Sequence, residues 1–370
     1  MSSNILAKAY AGKRVLITGH TGFKGSWLAA WLTELGAEVI GYALNPSTER
    51  GNFVLSGIGK RIDDIRGDVR DYEKLCAVIK EQKPEFVFHL AAQAIVRESY
   101  KNPKETYDIN AGGTVNLLEA CRQNDSVRVI VNITSDKCYE NREWLWCYRE
   151  NDPLGGYDPY SSSKGCAELI TAAYRNSFFN PEISAEFQTA LSSVRAGNVI
   201  GGGDWALDRI IPDCIRALEK DLPIVIRNPN AVRPWQFVLE PLGGYLLLGA
   251  KMADEPDRYT GAWNLGPESS ATLTVREIAD LLIRHWGRGS WENEFQENAV
   301  HEARLLALDI SKARWQLGWA PVLNIDEAVG WTVDWYKACL SNQDLAALNR
   351  MQIHEYMRKM QIHDAGRKTD

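Results

Sequence analysis

The sequence predicts a doubly wound parallel α/β sheet with a smaller mixed α/β cap. Two observations predict the sheet. Short apolar, β-branched runs alternate with segments of helical periodicity over residues 1–193, the pattern of strands buried on both faces and joined by crossover helices. A glycine turn also joins the first such strand to the first helix. A third observation predicts the cap: beyond Ser193 the alternation loosens into short strands, glycine loops and unevenly spaced helices.

The first element carries the strongest signal. Val15, Leu16 and Ile17 form a buried strand, Gly19, Gly22 and Gly25 follow three apart, and Ser26 to Leu35 repeats apolar residues at helical spacing before Gly36 closes the helix. Strand, glycine turn and helix make a phosphate cradle. Gly19 turns the chain, Gly22 lets a pyrophosphate approach the backbone, and Gly25 lets helix and strand pack. The helix N-terminus offers free N–H groups and a positive dipole end. Gly19, Thr21, Gly22, Phe23, Lys24 and Gly25 are therefore expected around a dinucleotide.

Glu38 to Leu44 reads as the second strand. An acid often ends this strand and holds the ribose hydroxyls; here Ala43-Leu44-Asn45 stands in its place, with Arg50 further on. Asn45 is the candidate ribose contact, and these residues alone leave NAD and NADP open. The third strand ends at Gly67-Asp68-Val69. Asp68 either accepts from an adenine amino group or caps the helix that starts near Asp71. Tyr72 to Gln82 is helical, and Glu85 to Leu90 is a strand running into Ala91-Ala92-Gln93, small residues against which a flat ring can lie. Asn110 to Gln123 is a helix, with Asn110 on the cofactor side, and Arg128 to Thr134 is a buried strand. Ligands of such a sheet sit at the carboxyl ends of its strands, where Ser135-Asp136-Lys137 falls. The helix that opens at Tyr157 and runs to about Phe178 puts Tyr160 and Lys164 four apart, on one face.

Residues 194–340 are expected to form most of the cap, with crossings back to the sheet, and residues 341–370 a peripheral helix fading into a disordered tail without chemistry. The bulk numbers exclude several classes. The 370 residues carry a net charge of −6 without a dominant Lys/Arg block, which argues against a nucleic-acid partner. No apolar stretch approaches the ~20 residues of a membrane helix, and the N-terminus lacks a signal-peptide core. Seven cysteines, scattered and odd in number, show no metal spacing; reduced thiols, a cytoplasmic location and no metal are expected.

Ser135, Tyr160 and Lys164 read as a hydride-transfer site. Tyr160 is the base for a hydroxyl proton. A free phenol titrates near ~10, and a neighbouring ammonium, Lys164, favours the phenolate. Ser135 hydrogen-bonds the same substrate oxygen.

Four segments together resemble the extended short-chain dehydrogenase/reductase family: TGxxGxxG at Thr18 to Gly25, GDVRD at Gly67 to Asp71, HLAAQ at His89 to Gln93 and YxxxK at Tyr160 to Lys164. Further segments are similar to the nucleotide-sugar 4,6-dehydratases within it, and to the branch acting on CDP-glucose. These are TSDKCYEN at Thr134 to Asn141, RAGNVIGGGDW at Arg195 to Trp205, VRPWQFVLEPL at Val232 to Leu242, HEA at His301 to Ala303 and LGWAP at Leu317 to Pro321.

The resemblance implies a Rossmann domain, NAD, and an internal redox dehydration for deoxysugar biosynthesis. Tyr160 deprotonates O4 while C4 gives up hydride, the 4-ketone acidifies C5–H, water leaves from C5 and C6, and the hydride returns to C6. It implies Asp136 as the acid for the departing hydroxyl. Related dTDP-glucose enzymes carry Asp-Glu where this chain has Asp136-Lys137, so Lys137 is either the C5 base or a charge partner of Asp136 or phosphate. Gln93, Ser135, Asn198 and Arg209 are implied as substrate contacts, with His301 and Glu302 at the nucleotide end. Arg233 either clamps the diphosphate or forms a surface ion pair. A homodimer or homotetramer is implied, its helices at about 101–123 and 160–178 pairing in a four-helix bundle. Two rivals stay open: a C4 epimerase of the same fold, and a non-catalytic NAD-sensing protein.

Overall fold

A computed structural model describes residues 2–180, 189–268, 272–293 and 305–366. Its centre is a seven-stranded sheet. The strands are β1 (Arg14–Thr18), β2 (Glu38–Ala43), β3 (Asp63–Arg66), β4 (Phe86–His89), β5 (Val129–Ile133), β6 (Ala190–Arg195) and β7 (Gly261–Asn264). Their order is β7-β6-β5-β4-β1-β2-β3, and every pairing is parallel. The direction of winding reverses between β1 and β4, the switch point at which such sheets bind ligands.

The β-branched runs work as expected. Val15, Ile17, Phe86, Phe88, Val129 and Val131 point to one face, into a core with Trp27, Leu28 and Trp31 of helix α1 (Phe23–Glu34). Leu16, Ile40, Val87 and Ile130 point to the other, against helices α2 (Tyr72–Gln82) and α3 (Gly113–Arg122). Both faces are dry, as a parallel sheet requires.

Four elements differ from the sequence reading. The N-terminal segment forms a helix, Ser2–Tyr10, whose Leu6 and Tyr10 are buried and whose Tyr10 hydroxyl donates to the Leu246 carbonyl. The helix expected from Asn110 is preceded by Pro103–Tyr107 and by a π-helical turn, Asp108–Gly112, that contains Asn110. The later chain returns to the sheet through a strand that the sequence reading did not place: β7 extends the sheet beyond β6, and helix α5 (Leu239–Asp254) is buried along most of its length.

The fourth difference is the tail. It is neither peripheral nor disordered over its described length, but a 22-residue helix, α6 (Leu345–Gly366), packed against the domain. Asn349, Gln352, Ile353, Tyr356 and Met360 are buried, and Tyr356 meets Trp31 edge-on at 5.5 Å. Three polar contacts fix it: Asn349 donates to Asn52, Trp335 donates to Asn349, and Tyr356 donates to Glu240. The sequence suggests a peripheral helix because its apolar positions are spread among polar ones, and those polar side chains find buried partners.

Candidate active site

A cleft of about 1440 Å³ runs along the carboxyl ends of the strands. The glycine turn forms its floor at the switch point. Gly19 has φ +76, and a Cβ there would lie 2.8 Å from the Ala91 nitrogen; at Gly25 a Cβ would lie 2.2 Å from the Gly19 carbonyl. The turn closes on itself in a way only glycine allows. Beside it the Ala91 amide donates to Thr18 Oγ1, which also contacts His89 Nδ1 at 2.7 Å. The bare backbone of the turn, the start of α1 and the small side chains of Ala91 and Ala92 fit a dinucleotide.

Most expected cofactor contacts line this floor: Gly19, Thr21, Gly22, Phe23, Lys24 and Gly25, then Asp68 and Val69, then Leu90 to Gln93. Two do not. Asn45 is exposed and outside the lining. Asn110 is buried behind the wall, where its amide bonds both backbone groups of Gln93 and the Ser163 hydroxyl. The amide is used up in shaping the loop, so Asn110 acts on that wall from behind. The alternative for Asp68 also falls: Asp71 caps α2 by accepting from Lys74 N–H, while Asp68 faces the cleft and binds Arg70 at 2.6 Å. Arg50 lies away from the lining, stacked 3.7 Å over Trp205 and paired with Glu219.

The opposite wall gathers the reactive groups. Helix α4 (Pro159–Ser177) starts with Asp158 as its cap, whose carboxylate accepts from Ser161 N–H, and presents Tyr160 and Lys164 to the cleft. The Ser135 hydroxyl donates to Asp136 Oδ1 at 2.9 Å and accepts from the Lys137 amide at 3.2 Å. Asn198 Nδ2 donates to Asp136 Oδ2 at 3.4 Å from a left-handed backbone, φ +51. A Cβ at Gly197 would sit 2.1 Å from the Asp136 carboxylate. Asp136 is therefore gripped on both oxygens, with glycine the only residue that fits above it.

Burial dominates the electrostatics of this wall. Burial pushes the Tyr160 phenol up to about 12, and neither the Ser135 hydrogen bond nor the Arg209 charge brings it back. Lys164 is itself drawn down to about 8, again by burial; its Nζ reaches the Ile133 carbonyl at 3.5 Å. Lys24 falls to about 7, through burial and then the positive charges of Lys164 and Arg209. In a site this dry, desolvation outweighs the Ser135 hydrogen bond and the Arg209 charge.

Lys137 is half-buried and lines the cleft. Its ammonium forms no ion pair with Asp136, whose two oxygens take Ser135 and Asn198. Arg209 and Arg233 line the same cleft, Arg209 paired with Asp204 at 2.8 Å and Arg233 donating to the Val232 carbonyl. His301 and Glu302 lie outside the described residues.

Sequence reasoning missed a buried network under this wall. Glu168 accepts from Thr134, Ser193 and Arg195, and Arg195 donates onward to Tyr139 and Glu150. One signal was available: Glu168 stands four residues after Lys164, on the same helix face.

The model of the GDP-mannose 4,6 dehydratase family matches residues 16–332. The chain belongs to the GDP-mannose 4,6 dehydratase family. Among relatives, CDP-glucose 4,6-dehydratase of Salmonella typhimurium is 51% identical over 349 residues, 94% of this chain and 97% of the relative. A solved epimerase from Methanothermobacter thermautotrophicus superimposes with a TM-score of 0.77 at 25% identity, over 92% of this chain and 97% of the epimerase. MoeE5 in complex with UDP-glucuronic acid and NAD gives 0.72 at 25% identity, over 88% and 99%. The chain thus shares its fold with a solved epimerase and with MoeE5. No helix among the described residues is long and apolar enough to cross a membrane.

Proposed function

We propose that this chain is an NAD-dependent CDP-glucose 4,6-dehydratase, converting CDP-glucose to CDP-4-keto-6-deoxyglucose and water. The observation that carries the reading is 51% identity over 97% of a CDP-glucose 4,6-dehydratase. It is supported by an acid, Asp136, held in the same cleft as Tyr160 and Lys164. An epimerase needs no such acid.

NAD bound on the glycine turn would accept a hydride from sugar C4 and later return it to C6. Everything else is the work of side chains. Tyr160 takes the O4 proton; the Ser135 hydroxyl orients that oxygen. Burial disfavours the phenolate, and positive charge from the bound nicotinamide would favour it. Lys164 holds the ribose beside it. Once C4 is a ketone, Lys137 takes the C5 proton and a protonated Asp136 gives its proton to the C6 hydroxyl, which leaves as water; as the hydride returns to C6, Lys137 gives the proton back to C5. Lys137 suits this role because it lines the cleft and is not paired with Asp136, whose oxygens take Ser135 and Asn198. Asn198 positions Asp136; Arg209 and Arg233 face the diphosphate.

The same reading extends to assembly: two copies pair through α4 and the segment 103–122, which expose Tyr107, Val115 and Leu169. A monomer at micromolar concentration would refute it. The function itself is tested by incubation with CDP-glucose and NAD, followed by alkali. The absorbance of a 4-keto-6-deoxy sugar supports it, whereas accumulation of the C4 epimer with no such absorbance favours the epimerase.

A further inference from the structure

A chain of buried hydrogen bonds runs from the C-terminal helix to the glycine turn, through side chains that lie outside the cleft lining. Trp335, in the helix Ile325–Leu340, donates its indole N–H to Asn349 Oδ1 at 3.0 Å. Asn349, in α6, donates to Asn52 Oδ1 at 2.7 Å. Asn52 donates to Ser26 Oγ at 3.0 Å, and Ser26 donates to the Phe23 carbonyl at 2.9 Å. An indole can only donate. It therefore fixes which way each amide points, and the chain has one polarity from Trp335 to Phe23.

Both ends of the chain meet the cleft. Phe23 opens α1 and lines the floor. Its ring lies against the glycine run Gly201-Gly202-Gly203, where a Cβ at Gly201 would sit 3.1 Å from it. The same run is held by the same residues. The Trp335 ring packs on Gly202 and leaves no room for a Cβ. Trp27 of α1 donates to the Gly202 carbonyl at 2.9 Å, and the Asn52 amide donates to the Gly203 carbonyl at 3.3 Å. Tyr336 then donates to the carbonyl of Asp204, the residue that pairs with Arg209. The cofactor floor and this part of the substrate wall thus share their anchors, and Asn349 links those anchors to one another.

We propose that Asn349 is a positioning residue that couples the glycine turn to the run 201–204, so that a ligand on one improves the fit of the other. Which ligands these are rests on the function proposed above. A shift of α1 would pull Ser26 from Asn52, and a buried amide that loses its partner finds no water to replace it. Bonds in such a chain also strengthen one another. A ligand that sets α1 therefore sets the run 201–204, and the second ligand meets a wall already in place.

The test is calorimetric titration of the full chain with NAD and with CDP, each alone and in the presence of the other. Wild type is compared with Asn349→Leu, Ser26→Ala, the double variant and Trp335→Phe, which keeps a ring on Gly202 without the donor. In wild type each ligand should tighten the other by the same factor, at least about fivefold. In every variant that factor should fall close to one, and the double variant should match either single. Melting temperature reports the fold separately; if Asn349→Leu does not fold, Ser26→Ala and Trp335→Phe decide. The proposal is overturned if wild type shows no coupling, or if the variants keep it whatever their melting temperature. Loss in Trp335→Phe alone would assign the coupling to the indole's seat on Gly202 and equally overturn it. Failure of wild type to bind CDP while binding another nucleoside diphosphate would instead overturn the proposed function, and that nucleotide would replace CDP in the same titrations.

Discussion

Glu168 and Arg195 form an ion pair at 2.8 Å, with side chains only 2% and 3% exposed. The pair ties α4 to β6, and Glu168 also accepts from Thr134, the residue before Ser135. It thus sets the spacing between the strand end that carries Ser135 and Asp136 and the helix that carries Tyr160 and Lys164. Glu168→Ala would leave the Arg195 guanidinium buried without its carboxylate, at a cost of about 3–5 kcal/mol. Urea unfolding should show that loss, and Glu168→Gln a smaller one. Wild-type stability in the alanine variant would mean that the pair does not hold the wall.

Tyr160→Phe should abolish turnover and leave NAD affinity within a few-fold, because the ring stays and only the proton-transfer group goes. Burial raises the phenol to about 12, and positive charge from NAD would lower it. Adding NAD should therefore bring tyrosinate absorbance to lower pH in wild type and not in Tyr160→Phe. Equal titrations in the two proteins would show that the phenol is not the group that responds.

Lys137 and Asp136 are separable by isotope exchange. Lys137→Ala should stall after oxidation at C4, with reduced nicotinamide persisting and no deuterium entering C5 from solvent. Asp136→Asn should still exchange at C5 but expel the C6 hydroxyl poorly. Wild-type exchange in Lys137→Ala would remove Lys137 as the base.

The C-terminal helix gives a pH-dependent prediction. Glu240, buried in α5, accepts from the Val322 and Leu323 amides and from Tyr356, and burial raises its carboxyl from 4.5 to about 7. A raised folded value means that the native state holds the proton longer than the unfolded chain. Stability is therefore full below about 4.5 and declines as pH rises to about 7, by about 3 kcal/mol at most. Glu240→Gln lacks this titration, so its melting temperature should gain on wild type between pH 5 and pH 7.5. A constant difference across that range would show that Glu240 is ionised throughout in the folded protein.

Legibility in the sequence followed the physics of each residue. The sheet could be read because Val15–Ile17, Phe86–Phe88 and Val129–Val131 are dry on both faces, and such strands leave an unbroken apolar run. The glycine turn and the Tyr160–Lys164 pair could be read because both are local, fixed by spacing. What stayed hidden was long-range. The grip of Asn198 on Asp136, the joining of Glu168 to Arg195 and the seating of Tyr356 on Glu240 each link residues far apart in the chain. The high phenol value of Tyr160 was hidden for another reason: it depends on burial, which spacing does not report.

The central claim is an internal hydride transfer from C4 to C6, and CDP-glucose deuterated at C4 tests it most directly. The label should appear at C6 of the 4-keto-6-deoxy product, with no net reduction of added NAD. Label at C4 of a CDP-galactose product, or deuterium left on accumulating reduced nicotinamide, would contradict the account.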